Sequence, residues 1–184
     1  MSFNISEFRE NLYVGLGRPA NFEVTFTIPT AVTFASDVLK DVRNLTLKCF
    51  TAEVPGINLN TFEHRDYGLT HNIAYGKLYA EANFGLIMSA DYREMRHFDE
   101  WMKFIYKDDT NNVAYYNDYI ADITIKTFNE VGDESLVITL EEAYPKTINP
   151  IALSWEERDS FSRADVTMVY KKHKMGRVVE ASPF

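Results

Sequence analysis

The residues that could do chemistry are a few histidines and carboxylates. His64 and His71 stand on either side of Asp66, a donor set that a divalent metal would accept. Their spacing matches no defined ligand pattern, and no regular element is visible to hold the three side chains in place, so metal binding is not expected. Glu94 and His97 form the Glu-x-x-His pair used in di-iron bundles. That chemistry needs a second such pair on a facing helix, and the chain offers one clear helix, so Glu94 and His97 read as its exposed polar face. Glu141 and Glu142 are adjacent in a strand pattern, which sends their carboxylates to opposite faces and prevents them from working as paired acid and base. Gly15-Leu16-Gly17-Arg18-Pro19 lacks the spacing of a phosphate loop, and a strand follows where a helix should begin. No nucleophile elbow and no His-Glu-x-x-His zinc motif occurs. The expectation is a protein without catalytic or metal site and without cofactor.

Composition points the same way. The chain has 184 residues, 46% of them hydrophobic, enough for a packed core. Its net charge of −8 disfavours a general nucleic-acid binder, which needs a clustered basic surface. Cys49 is the single cysteine, so an intramolecular disulfide and a cysteine zinc cluster are both ruled out. It sits in an apolar run and reads as a buried, inert thiol. The first twelve residues lack the basic start and apolar stretch of a signal peptide, and no later run approaches the roughly 18 apolar residues of a membrane span.

The elements that would position functional side chains are mostly strands. In Phe22-Glu23-Val24-Thr25-Phe26-Thr27-Ile28 every second residue is apolar, as a strand buried on one face requires. The same alternation predicts strands over Leu45–Ala52, Tyr79–Met88, Ile120–Phe128, Leu136–Tyr144, Ile148–Trp155 and Val166–Lys171, with a weaker one over Leu69–Tyr75. About seven or eight strands imply a sandwich or barrel. One helix is predicted over residues 90–107, capped by Ser89, with Tyr92, Met95, Phe98, Trp101, Met102 and Ile105 forming its packing stripe. Residues 53–77 contain Pro55-Gly56 and scattered apolar residues but no core-forming pattern. A stretch of that length suits an arm that docks on another subunit. Residues 1–17 and 174–184 read as peripheral arms on a domain spanning residues 18–173.

The second face of the strands is rich in hydroxyls and mixed charge: Glu23, Thr25 and Thr27, then Thr46 and Lys48, then Asp122, Thr124 and Lys126, then Thr139 and Glu141, then Asp165 and Thr167. A solvated sheet face and the wall of a polar channel would look alike at this level.

The order of these features resembles the tail tube proteins of contractile bacteriophages. Arg18-Pro19-Ala20-Asn21-Phe22-Glu23-Val24 is similar to the opening of the family's first strand. Cys49-Phe50-Thr51-Ala52-Glu53-Val54-Pro55-Gly56 looks like its strand end and Pro-Gly corner. Phe84 to Met88, then Arg93 and Phe98-Asp99-Glu100-Trp101, resembles its strand-then-helix segment. Ala143 to Ile151, Leu153-Ser154-Trp155 and Val166 to Tyr170 look like its C-terminal hairpin.

The resemblance implies a mainly β fold, a barrel-like sandwich with one flanking helix and a long inter-ring loop, shared with the haemolysin-coregulated tubes of type VI secretion. It implies a structural virion protein whose hexameric rings stack into the inner tube, assemble in the host cytoplasm and conduct DNA during ejection. Implied partners are further copies of the chain, the sheath, baseplate and tail-terminator proteins, and tape-measure protein and DNA in the lumen, without stable membrane association. Val54, Pro55, Gly56, Ile57, Leu59, Phe62 and Tyr67 are then the inter-ring candidates. Thr25, Thr46, Lys48, Thr124, Lys126 and Thr139 are the lumen candidates. The extended N-terminal arm, the insertion-like stretch from Thr30 to Asn44 and the tail beyond His173 also fit a tube-initiating baseplate ring or a tail terminator. A monomeric ligand-binding β-sandwich is the alternative from a different class.

Overall fold

A computed structural model describes residues 17–32, 34, 42–65, 67–130, 132–155 and 161–176. The expected N-terminal arm, apart from Gly17, and the tail beyond Gly176 lie outside these residues, as does most of the stretch before Val42. The elements run β1 (Phe22–Phe26), α1 (Val42–Lys48), β2 (Cys49–Ala52), β3 (Ile57–His64), β4 (His71–Tyr79), β5 (Ala82–Ile87), α2 (Arg93–Ile105), β6 (Tyr106–Lys107), β7 (Asn112–Val113), α3 (Tyr116–Tyr119), β8 (Ala121–Phe128), β9 (Glu134–Ile148), β10 (Arg163–Val169) and β11 (Lys172–Met175). The fold is mainly β, as the alternation predicts.

Strand β9 organises the sandwich. Its first half pairs with β8 and β11, and β8 pairs in turn with β1. Its second half pairs with β10, which continues to β5 and β2. All these pairings are antiparallel, and the two halves share one long strand. The passage between them falls at Glu142, which adopts φ +56, a left-handed conformation uncommon for a residue with a side chain. Asp122 Oδ1 accepts the Glu142 amide at 3.1 Å, and Lys171 holds its carboxylate at 2.6 Å. Glu141 and Glu142 therefore shape a bend.

The core lies between the two layers. Val24, Phe26, Ile123, Ile125, Ile138 and Leu140 point inward from one side, and Phe84, Leu86, Val166 and Met168 from the other. Phe26 meets Phe84 and Phe98 edge-on, with ring centroids 5.4 and 6.1 Å apart. Gly85 is needed where β5 passes β2 and β10, because a Cβ there would lie 2.3 Å from Thr51 Oγ1.

Helix α2 packs over this core, but its buried face is rotated from the expected stripe. Glu94, His97, Phe98 and Trp101 are buried, Met102 and Ile105 are half-buried, and Met95 is exposed. Tyr92 precedes the helix in a left-handed conformation. Ser89 does not cap the helix as expected: the residue before the helix is Tyr92, without a side-chain cap, and Ser89 instead donates its amide at 2.9 Å and its hydroxyl at 2.7 Å to the Glu94 carboxylate, which reaches back over the first turn. His97 is not solvent-facing either: its ring stacks on Phe34 with centroids 4.6 Å apart. Trp101 Nε1 donates to the Tyr119 carbonyl at 2.9 Å.

Residues 45–48 are the end of a helix where alternation predicts a strand over Leu45–Ala52, and only Cys49–Ala52 is strand. Only Leu45 of the apparent Leu45/Leu47 pair is buried. Thr46 Oγ1 donates to the Val42 carbonyl one turn back, at 3.4 Å, and Lys48 forms an ion pair with buried Glu94 and contacts Ser89 Oγ. Thr46 and Lys48 thus have no strand face to contribute. Strand β9 also absorbs the start of the expected Ile148–Trp155 strand, and residues 149–155 are irregular. Cys49 is half-buried rather than buried, and desolvation pushes its thiol up to about 12 despite an opposing backbone hydrogen bond at Thr51, which keeps the sulfur unreactive.

Burial raises the Glu94 pKa, but donation from Lys48 and from the Ser89 amide and hydroxyl outweighs it and holds the carboxyl below its ordinary value of 4.5. A depressed native pKa means that this contribution to stability is complete above pH 4.5 and is lost as pH falls through the native value. Glu94→Gln is expected to lower unfolding free energy by about 1–3 kcal/mol at neutral pH and to flatten the acid limb, read from urea melts at several pH values.

Candidate assembly surfaces

Strands β1, β8, β9 and β11 form a four-stranded layer whose inward residues fill the core. The period of two then places the intervening residues on the outer face. Thr25 lies opposite Thr124, Thr124 opposite Thr139, and Thr139 opposite Lys174, a continuous row across all four strands. A neighbouring row carries Glu23 opposite Lys126. Of the six lumen candidates, four therefore share this face: Thr25, Thr124, Lys126 and Thr139. Asp165 and Thr167 belong to β10 in the other layer, where Thr167 Oγ1 donates to Asn83 Oδ1 at 2.8 Å.

The charges on this face are interlocked. Lys126 holds Glu134 at 2.5 Å, and Glu141 receives both Lys172, at 3.0 Å, and Lys174. Glu141 is held below the usual carboxylate value by hydrogen bonds from Lys174 and Lys172. The two lysines escape notice in the sequence because the last predicted strand ends at Lys171, just before Lys172, and residues 174–184 read as a tail. The Lys172-His173-Lys174 alternation is the signal that could have found them.

Both outer strands of the layer are open. Among the described residues β1 pairs only with β8, and β11 only with β9. On its inner side β11 is anchored by His173, which packs against Tyr79 and Tyr170 with ring centroids 5.1 and 6.0 Å away. Neither ring nitrogen of His173 has a hydrogen-bond partner among the described residues. Burial, aided by Lys77, lowers its pKa from 6.5.

The stretch expected to be an irregular arm is a β-hairpin. Strands β3 and β4 pair from Ile57↔Tyr79 to His64↔His71, with Tyr75 bulged out between Gly76 and Ala74. The hairpin forms a separate two-stranded sheet, and nearly all of it is exposed. Leu59 is 62%, Tyr75 67% and Leu69 93% exposed. Phe62 contacts Tyr75 at 6.1 Å between centroids, and His64 meets His71 edge-on at 5.3 Å. An isolated two-stranded ribbon is marginal in water, so this apolar surface calls for a cover. Val54, Gly56, Ile57, Leu59, Phe62 and Tyr67 are exposed on the hairpin and its approach, whereas Pro55 is buried at the base. Among the described residues no group of three or more His, Cys, Asp or Glu could hold a metal, and no helix is long and apolar enough to cross a membrane.

A family model described as phage tail tube protein matches residues 17–176. The chain belongs to that family. Tail tube proteins are structural rather than catalytic, and this one is built accordingly. Solved structures agree on the fold. A chain of the PVC extracellular contractile injection system sheath–tube complex in its extended state superposes with a TM-score of 0.65 at 14% identity, over 96% of this chain and 100% of that one. A chain of the anti-feeding prophage baseplate, 6-fold symmetrised, gives 0.65 at 13% identity, over 89% and 97%. An Hcp protein gives 0.50 at 11% identity, over 88% and 96%. No curated protein sequence matches the chain.

For the tail tube protein, burial of His173 has a measurable consequence. Its native pKa lies below 6.5, so the unfolded chain takes up the proton first, and stability falls as pH drops below 6.5. His173→Phe is expected to remove that part of the slope, checked by thermal melts between pH 5 and 8.

Proposed function

We propose that six copies of this tail tube protein close their four-stranded layers into one continuous barrel and that the rings stack into the inner tube of a contractile tail. The observation that carries this reading is a sheet with a polar outer face and two open edges. Exposed edges invite pairing with another chain, and a closed barrel removes them. Because the layer has an even number of antiparallel strands, β11 of one copy meets β1 of the next antiparallel, and the alternation continues unbroken around the ring.

About 24 strands spaced ~4.8 Å apart and tilted by roughly 40° give a backbone diameter near ~48 Å, which passes a DNA duplex once side chains are added. Thr25, Thr124, Lys126 and Thr139 line that bore. Hydroxyls and locally paired charges offer phosphates no clustered cation, so DNA passes during ejection without sequence-specific binding. The tape-measure protein occupies the same space beforehand.

Hairpin β3–β4 reaches the adjoining ring and buries Ile57, Leu59, Phe62 and Tyr67 there. The sheath surrounds the tube, and baseplate and terminator proteins close its ends. The 6-fold baseplate neighbour and the sheath–tube neighbour support these assignments. The product is a component of the virion tail assembled in the host cytoplasm. An anti-feeding prophage tube-terminating cap chain also shares the fold, with TM-score 0.61 at 16% identity over 88% of this chain and 91% of that one, which keeps a terminal ring as the second reading.

Electron microscopy of purified protein is expected to show hexameric rings and tubes. Single rings that never lengthen favour the terminal role, and a stable monomer at all concentrations removes both readings. Replacing residues 58–78 by a short Gly-Ser linker, which the 3.2 Å Ala80 N–H to Gly56 carbonyl bond at the base accommodates, is expected to leave rings intact and abolish tubes. Phe62→Ser with Tyr75→Ser should do the same while changing subunit stability by less than about 0.5 kcal/mol per site, since both side chains are exposed.

A further inference from the structure

The two open edges of the four-stranded layer carry opposite excess charge. At the β11 edge, Lys172 and Lys174 share the single carboxylate of Glu141, which among the described residues leaves one positive charge over. At the β1 edge, exposed Glu23 lies opposite Lys126 and acts on it electrostatically, but the Lys126 ammonium is bound to Glu134. Among the described residues one negative charge is left over there. All six groups belong to adjoining strands or their ends, and the two excesses sit at opposite margins of the same subunit.

We propose that ring closure is keyed by this complementarity, with Glu23 of one copy seated against Lys172 and Lys174 of the next copy. The inference rests on the barrel reading and specifies the seam. Alternation limits the registers of closure, because polar faces continue across a seam only when the strands are staggered by an even number of residues. With the Thr25 row continued across the seam, Lys174 faces Thr25 of the next copy and Glu23 lies diagonal to Lys174; a two-residue stagger toward Lys172 sets Glu23 directly opposite Lys174 and diagonal to Lys172. The occupant is a second copy because both halves of the match lie on one chain, and a head-to-tail contact of this kind closes into a ring when the rotation permits. Subunits that meet β1 to β1 or β11 to β11 bring like charges together, so the seam also rejects wrong pairings.

The test uses full-length protein with two inverted variants. E23K reverses the β1 edge. E141K/K172E/K174E reverses the β11 edge while preserving its internal two-to-one pairing. Circular dichroism checks folding. Each variant alone is expected to need about tenfold or more higher concentration to form rings, read by light scattering and micrographs. An equimolar mixture is expected to restore assembly as rings alternating between the two variants, resolved by native mass spectrometry, because every seam then joins opposite charges. Should the triple inversion fail to fold, K174E replaces it, since Lys172 remains paired with Glu141 and the edge excess still changes sign.

Variants that assemble as readily as wild type, or a mixture no better than its parts, overturn the seam while leaving the barrel standing. Wild-type protein that forms no rings removes the barrel reading and the seam together. Monomers whose β1 and β11 amides already resist hydrogen exchange would mean that the chain covers its own edges, and would also overturn it.

Discussion

Every backbone amide and carbonyl in a strand needs a partner, and at the margin of a sheet half of them face outward. In this subunit that constraint falls on β1 and β11, the borders of a layer whose inner face is a well-packed apolar core and whose outer face is polar. Among the described residues neither margin is covered, and the alternation of Thr25, Thr124 and Thr139 with core residues decides which face the sheet shows to water. On the proposed assembly, fold and ring would share one set of hydrogen bonds, the ladder of the subunit continuing into its neighbour.

Much of this was legible in the chain. Phe22 to Ile28 and Ile120 to Phe128 alternate cleanly because each buries one face, and the structure places β1 and β8 there, one residue shorter or more at an end. Residues 45–48 differ from the expected strand because Leu45 and Leu47 mimic strand alternation, whereas Leu47 points to solvent and a contact distant in sequence, between Lys48 and Glu94, favours the helix. The same contact explains why Glu94 and His97 looked like surface residues: nothing local announces that a lysine 46 positions earlier will partner the carboxylate, or that Phe34 will cover the imidazole. The hairpin was hidden for a different reason. Its strands bury no face within the subunit, so they lack the contrast between apolar and polar sides from which strands are recognised. Its apolar residues, Leu59, Phe62 and Tyr75 among them, stay exposed to solvent within the subunit.

Electrostatics divides the molecule by location. The chain is acidic overall, yet the outer face of the four-stranded layer nearly balances, with Lys126, Lys172 and Lys174 against Glu23, Asp122, Glu134 and Glu141. Most of the acidic excess thus resides elsewhere. Pairs as exposed as these add little to stability individually. Their value is in direction, since they distinguish one margin of the subunit from the other.

Strand β9 joins the two layers without interruption of the chain, bending at Glu142 where Asp122 and Lys171 hold the turn. A pull along this strand is resisted in shear by ladders on both of its sides, to β8 and β11 in one half and to β10 in the other. Many bonds must then yield together, whereas a peeling force would break them one at a time. A subunit built around such a shared strand resists stretching along its length more than peeling at its ends.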